Sequence, residues 1–147
     1  MNARAFVDTN VLIYAHDLDA EDKHLIAKQV LSELWTTRTG VLSTQVLQEF
    51  YVNVTRKLAR PLTKKVARTV VDAYSLWCID ATPAELKSAF QIEDDARLGF
   101  WDALICAAAL KAGVDRILSE DLNAGQKIAG IRIENPFVRK SPKAGST

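Results

Sequence analysis

The sequence predicts an α/β domain of three layers, helices on both faces of a central, mostly parallel sheet. Two observations point there. Short apolar runs of two to four residues alternate along the chain with longer stretches whose apolar residues recur at helical spacing. Turn and cap residues fall between them, as crossover connections require.

Ala5, Phe6 and Val7 form the first apolar run and end at Asp8, a buried strand followed by a helix through Val11, Leu12, Ile13 and Tyr14. Over residues 21–36 the period is helical, with Ile26, Val30, Leu31, Leu34 and Trp35 on one side, and Gly40 closes the segment. Val41 and Leu42 make a second strand. Ser43 or Thr44 caps a helix carrying Val46, Leu47, Phe50, Val54 and Leu58. After Pro61, Thr63 opens a helix with Val66, Val70, Tyr74 and Trp77, and Cys78-Ile79 is a third strand. Thr82-Pro83-Ala84-Glu85 is a capping box with proline at the first helical position. Gly99 precedes an apolar helix ending at Gly113. Residues 116–118 and 131–133 complete a five-stranded sheet.

The chain has 147 residues, 48% hydrophobic and 25% charged, with a net charge of +1. That composition supports a packed core and excludes disorder as the dominant state. No apolar run is long enough for a membrane span, and the opening MNARAFVDTN has no secretory leader pattern. Cys78 and Cys106 both lie in apolar segments, which suits free thiols in a reducing cytoplasm. Residues 1–138 are expected to form one domain. Residues 139–147, RKSPKAGST, are expected to be a flexible basic tail.

Ligands of open α/β sheets bind at the carboxyl ends of the strands. Asp8 lies at such an end, and Asp121 lies just past the strand at 116–118. Each is equally well read as a cap or turn residue. Asp102 is the only charged residue between Gly99 and Lys111, and its neighbours Ile105 and Cys106 predict a buried face. A buried carboxylate without a partner is costly, so a metal or catalytic role is the stronger reading. Glu49, taken alone, is a surface glutamate on an amphipathic helix. If the four acids meet, their repulsion calls for a divalent cation, and an all-oxygen donor set favours Mg²⁺ or Mn²⁺. Zinc is disfavoured, because His16 and His24 do not pair with a cysteine at ligand spacing.

The ordered set FVDTNVLIY, STQVLQEFYVNVTRK, FWDALICAAAL, ILSEDL and ENPF, spanning Phe6 to Phe137, resembles the PIN domain. Within that family it is similar to the VapC-type toxins of bacterial type II toxin–antitoxin pairs. The resemblance implies strand order 3-2-1-4-5 and a catalytic, metal-binding acidic site of Asp8, Glu49, Asp102 and Asp121. Glu120 and Asp115 are alternatives for the fourth acid. Thr9, Asn10 and Ser119 fall at the family's supporting polar positions. The implied activity is Mg²⁺-dependent (or Mn²⁺-dependent) endoribonuclease action, hydrolysing RNA phosphodiester bonds with water. The implied partners are a small cognate antitoxin and a second copy in a homodimer, in the cytoplasm.

Positive charge for an RNA backbone is available in RKLARPLTKKVAR, whose Arg56, Lys57, Arg60, Lys64, Lys65 and Arg68 include no acid among them. A solvated helix face accounts for the same run. Trp35, Trp77 and Phe90 are in phase with aliphatic residues and are expected in the core. Tyr14, Leu25, Leu31, Leu34 and Trp35 offer apolar surface for an antitoxin helix. Three rival functions stay open: a housekeeping PIN nuclease of RNA processing, a phosphatase of the haloacid dehalogenase type, and a non-catalytic binding module. The phosphatase wants a second acid two residues after Asp8, where Asn10 stands.

Overall fold

The computed structural model describes residues 3–138; the expected basic tail at 139–147 lies outside the described residues. In chain order the elements are β1 (Ala5–Val7), α1 (Thr9–Ala15), α2 (Asp22–Thr37), β2 (Gly40–Ser43), α3 (Thr44–Arg56), α4 (Lys64–Tyr74), β3 (Cys78–Ile79), α5 (Pro83–Ala96), α6 (Phe100–Ala112), β4 (Arg116–Leu118), β5 (Lys127–Ile128) and β6 (Ile131–Glu134).

The sheet order is β3-β2-β1-β4-β6-β5. Every pairing is parallel except the last, between β5 and β6. The five parallel strands keep the expected order 3-2-1-4-5, with β6 as the fifth. β5 is a sixth strand the sequence did not reveal, because two residues carry no period. It is made by a hairpin whose turn places Ala129 and Gly130 at positive φ.

All three residues of β1 are buried, as are Val41, Leu42 and Ser43 of β2. Consecutive buried residues mean cover on both faces, which is the three-layer arrangement. Phe6, Leu12, Leu42, Phe50, Ile117 and Ile133 are the largest fully enclosed side chains and mark the core centre. Around it α1 packs on α2 and α3, α3 on α4, and α5 on α6.

The caps follow the sequence. Ser43 accepts from the Val46 amide at 3.4 Å and Thr63 from the Val66 amide at 3.2 Å. The Thr82 amide and hydroxyl both donate to Glu85, at 2.7 and 2.6 Å. Lys111 then binds the other Glu85 oxygen at 3.0 Å and ties α6 to α5. The helix α2 closes on Arg38 in the left-handed conformation. Gly40 instead starts β2, where a Cβ would meet the Trp77 ring at 2.6 Å.

Three aromatic expectations need correction in part. Trp35 and Phe90 are 44% and 51% exposed, and only Trp77 is partly buried. Helical phase identified their apolar side, but the neighbouring rings, Trp77 and Tyr74 for Trp35 and Phe100 for Phe90, cover it only in part. Both cysteines are free thiols, and no described helix is long and apolar enough to cross a membrane.

Candidate active site

Neighbouring parallel strands bring the site together. Val7 pairs with Leu118, so the residues that follow β1 and β4 leave the same sheet edge side by side. The Asp8 amide continues the ladder to the Leu118 carbonyl, and the Ser119 amide continues it to that of Glu134. Asp8 then caps α1, accepting from the Thr9 amide at 2.7 Å. Its second oxygen accepts from the Ser119 hydroxyl at 2.7 Å. Ser119 is fully enclosed and Asp8 nearly so.

Asn10, two residues into α1, spans the gap to the turn after β4. Its Nδ2 lies 3.3 Å from Asp121 and 3.5 Å from both Asp8 and Ser119. Its Oδ1 accepts from the Glu120 amide at 3.1 Å. The Ser119 oxygen accepts from the Asp121 and Leu122 amides at 3.1 and 3.3 Å. Thr9 turns the other way and donates to Glu49 of α3 at 3.1 Å. Thr9, Asn10 and Ser119 therefore each hold an acid.

Burial, helped by the charges of Asp121 and Glu49, pushes the Asp8 carboxyl up to about 6 against the lowering pull of its bonds from Ser119 and Thr9. Burial raises Asp102 too, with the charge of Asp121 behind it. Cys106 is pushed to about 12, first by burial and then by the charges of Asp102 and Asp8. These mutual effects put Asp8, Glu49, Asp102 and Asp121 in one electrostatic neighbourhood.

Asp102 departs from expectation in one respect: it is exposed, not buried. It sits in the first turn of α6, and that helix is enclosed only from Ala103 onward. Glu49 and Asp121 are exposed as well. Among the described residues no three acids form a ready-made metal chelate. The donor chemistry nevertheless fits a hard divalent cation. All four groups are carboxylates, and the raised Asp8 records the repulsion and burial a cation would offset.

Of the alternatives for the fourth acid, Asp115 lies at the opposite end of β4, beside Arg4 and Arg132. Both Glu120 oxygens are occupied. Tyr14 donates to one at 2.6 Å and Lys23 pairs with the other at 2.5 Å. This Tyr14–Glu120–Lys23 group was not recognised in the sequence. Its one readable sign is that Tyr14 lies one helical turn after Asn10.

All six cations of the basic run are exposed where α3 gives way to α4. Arg60 is not free: it makes a two-point pair with Asp19 at 3.0 and 3.1 Å. Arg68 lies over the Tyr51 ring at 6.0 Å. Of the apolar residues expected to face a partner, Leu31 and Leu34 are buried, while Leu25 and Trp35 are exposed. Trp35 lines a groove of about 430 Å³ with Leu31, Val70, Ala73 and Tyr74.

The PIN domain family model matches residues 5–129, most of the chain and every residue of the acidic site. The chain belongs to the PIN domain family. No curated protein sequence matches it. Among solved structures, this PIN domain is similar to a toxin–antitoxin complex from Klebsiella pneumoniae, with a TM-score of 0.66 and 19% identity over 90% of this chain and 98% of that one. It is similar to DNA-bound VapBC from Salmonella typhimurium, with a TM-score of 0.65 and 21% identity over 92% and 99%. It is also similar to VapC20 of Mycobacterium tuberculosis, a sarcin–ricin loop cleaving toxin, with a TM-score of 0.59 and 21% identity over 80% and 89%. At these identities the likeness is one of fold.

Proposed function

We propose that this PIN domain is a metal-dependent endoribonuclease and the toxin of a toxin–antitoxin pair. The observation that carries the reading is a buried carboxylate, Asp8, at the carboxyl edge of a parallel sheet, with the charges of Asp121 and Glu49 acting on it and that of Asp121 acting also on Asp102. Asp8, Asp102 and Asp121 are the ligands of Mg²⁺ or Mn²⁺ in this reading. Glu49 is a further ligand or the group that orients the attacking water. When bound, the cation supplies positive charge against phosphate oxygens and lowers the pKa of water. The chain's own polar groups prepare the site: Ser119 and the Thr9 amide hold Asp8 by both oxygens, Thr9 holds Glu49, and Asn10 spans to Asp121.

The RNA backbone follows the exposed cations Arg56, Lys57, Lys64 and Lys65, with Arg68 beside them and Arg60 serving chiefly to pair Asp19. The apolar groove between α2 and α4 suits a helix of a small antitoxin, whose arginine or lysine would enter the acidic site. The resemblance to VapC-type toxins supports a homodimer, and the free thiols suit a cytoplasmic protein. A phospho-aspartate phosphatase is disfavoured, since Asn10 uses its amide as a donor to acids and cannot replace the acid that chemistry needs.

The test is RNA cleavage by purified protein with and without Mg²⁺. Asp8→Asn and Asp102→Asn are each expected to abolish it while keeping the fold. Expression of the wild type alone is expected to slow growth, and Asp8→Asn is not. Near-native cleavage by both variants overturns the site assignment.

A further inference from the structure

We infer that Tyr14, Glu120 and Lys23 form a positioning clamp that sets where Asp121 stands in the acidic site. The inference rests on the nuclease reading above. Asp121 is an exposed turn residue, and among the described residues its carboxylate has only the long bond to Asn10 to place it. Its chain neighbour Glu120 is held far more firmly. The Glu120 amide donates to Asn10, one carboxylate oxygen takes the Tyr14 hydroxyl, and the other takes the Lys23 ammonium.

Asn10 and Tyr14 lie one turn apart on α1, so a single helix face grips Glu120 at both backbone and side chain. Lys23 adds a grip from α2. The Tyr14 ring is itself fixed: the Phe137 ring meets it edge-on at 5.0 Å, and the Lys23 ammonium lies 5.1 Å from its centre. Two helices thus converge on one glutamate, and Phe137 backs the tyrosine that holds it. Charge does not explain the arrangement, because Lys23 balances Glu120. Immobilising the turn does. Bonds behind a metal-binding carboxylate orient it, and removing one such partner typically weakens metal affinity or activity by about 10–100-fold.

The experiment compares wild type with Tyr14→Phe, which removes only the hydroxyl, and with Lys23→Met at a partly exposed side chain. Three quantities are read: Mn²⁺ affinity from the paramagnetic signal of free Mn²⁺, kcat and KM for RNA, and exchange of the Glu120 amide hydrogen without metal. Both variants are expected to bind Mn²⁺ roughly tenfold more weakly and to lose kcat to a similar extent. KM for RNA is expected to stay within a factor of two, since the backbone-binding cations are untouched, and the Glu120 amide exchanges faster. Adding Tyr14→Phe to Asp121→Asn is expected to cost nothing further in Mn²⁺ affinity, because the clamp acts through Asp121. A merely stabilising tyrosine would lower the melting temperature and leave affinity, kcat and this non-additivity unmoved. Wild-type Mn²⁺ affinity in both variants, or a full additional loss in the Asp121→Asn background, overturns the clamp. So does rapid exchange of the Glu120 amide in the wild type, whatever the activity. A wild type that protects this amide but neither binds Mn²⁺ nor cuts RNA overturns the nuclease reading instead.

Discussion

Asp8→Asn should stabilise the metal-free protein, and only at neutral pH. Burial, with the charges of Asp121 and Glu49, raises the Asp8 carboxyl from 3.8 to about 6 although Ser119 and Thr9 donate to it. A raised carboxyl pKa means the folded state binds the proton more tightly than the unfolded chain does. Stability therefore falls as pH rises from about 4 to about 6 and stays reduced above that. A shift of this size corresponds to roughly 3 kcal/mol of destabilisation at pH 7. Asparagine removes the charge but has one acceptor where aspartate has two. Its amide would face the Ser119 oxygen, which already accepts from the Asp121 and Leu122 amides. That mismatch costs about 1–2 kcal/mol. The net gain is then about 1–2 kcal/mol at pH 7.5, and at pH 4 it becomes a loss. For a chain of this length each kcal/mol moves the melting temperature by about 2–4 °C. The assay is a set of thermal melts of both proteins in EDTA at pH 4 and pH 7.5. A difference between them that is the same at both pH values, or a variant that melts lower at pH 7.5, refutes the account of Asp8 as a buried charge under repulsion.

Saturating Mg²⁺ is expected to raise the wild-type stability by about 2.7 kcal/mol at a hundredfold excess over its dissociation constant, and Asp8→Asn far less, so the order of the two melts reverses; equal shifts in both would show that Asp8 is not a ligand. Gly40→Ala drives a Cβ to 2.6 Å from the Trp77 ring and is expected to cost about 1–3 kcal/mol in urea unfolding; a loss within the error of the measurement would show that the Trp77 ring yields freely. Lys64→Glu combined with Lys65→Glu is expected to raise KM for RNA, leave kcat unchanged and flatten the salt dependence of binding; an unchanged salt slope would remove these lysines from the RNA path.

Much of this fold was legible because local signals and global topology agree. Asp8 ends an apolar run and caps a helix, Ser43 and Thr63 cap theirs, and the Thr82–Glu85 box forms as written. What was illegible depends on which elements become neighbours. A strand of two residues such as Lys127–Ile128 has no pattern apart from its partner at Ile131–Glu134. Trp35 and Phe90 share a phase with core residues, but phase says which face is apolar and not whether anything covers it. Asp102 misled for the same reason in reverse: its neighbours Ile105 and Cys106 are enclosed, while Asp102 and Trp101 stand on the solvent side of the first turn of α6. The pairing of Glu120 could not be read from the sequence, because its partners Tyr14 and Lys23 lie more than a hundred and nearly a hundred positions earlier, respectively.

The uneven burial of the four acids explains how the fold carries them without a preformed chelate. Four enclosed carboxylates would each incur desolvation as well as mutual repulsion, and burial alone shifts such groups by several pKa units. Here only Asp8 is enclosed, and it is the acid with the most donors: a backbone amide, the Ser119 hydroxyl and the Asn10 amide. Glu49, Asp102 and Asp121 remain in contact with solvent, where water screens them from Asp8 and from each other. Asp8, able to take a proton near pH 6, relieves the rest of the strain. The neutral donors therefore do two things at once. They make the buried acid tolerable, and through Thr9 and Asn10 they tie two of the exposed acids, Glu49 and Asp121, to the start of the same helix.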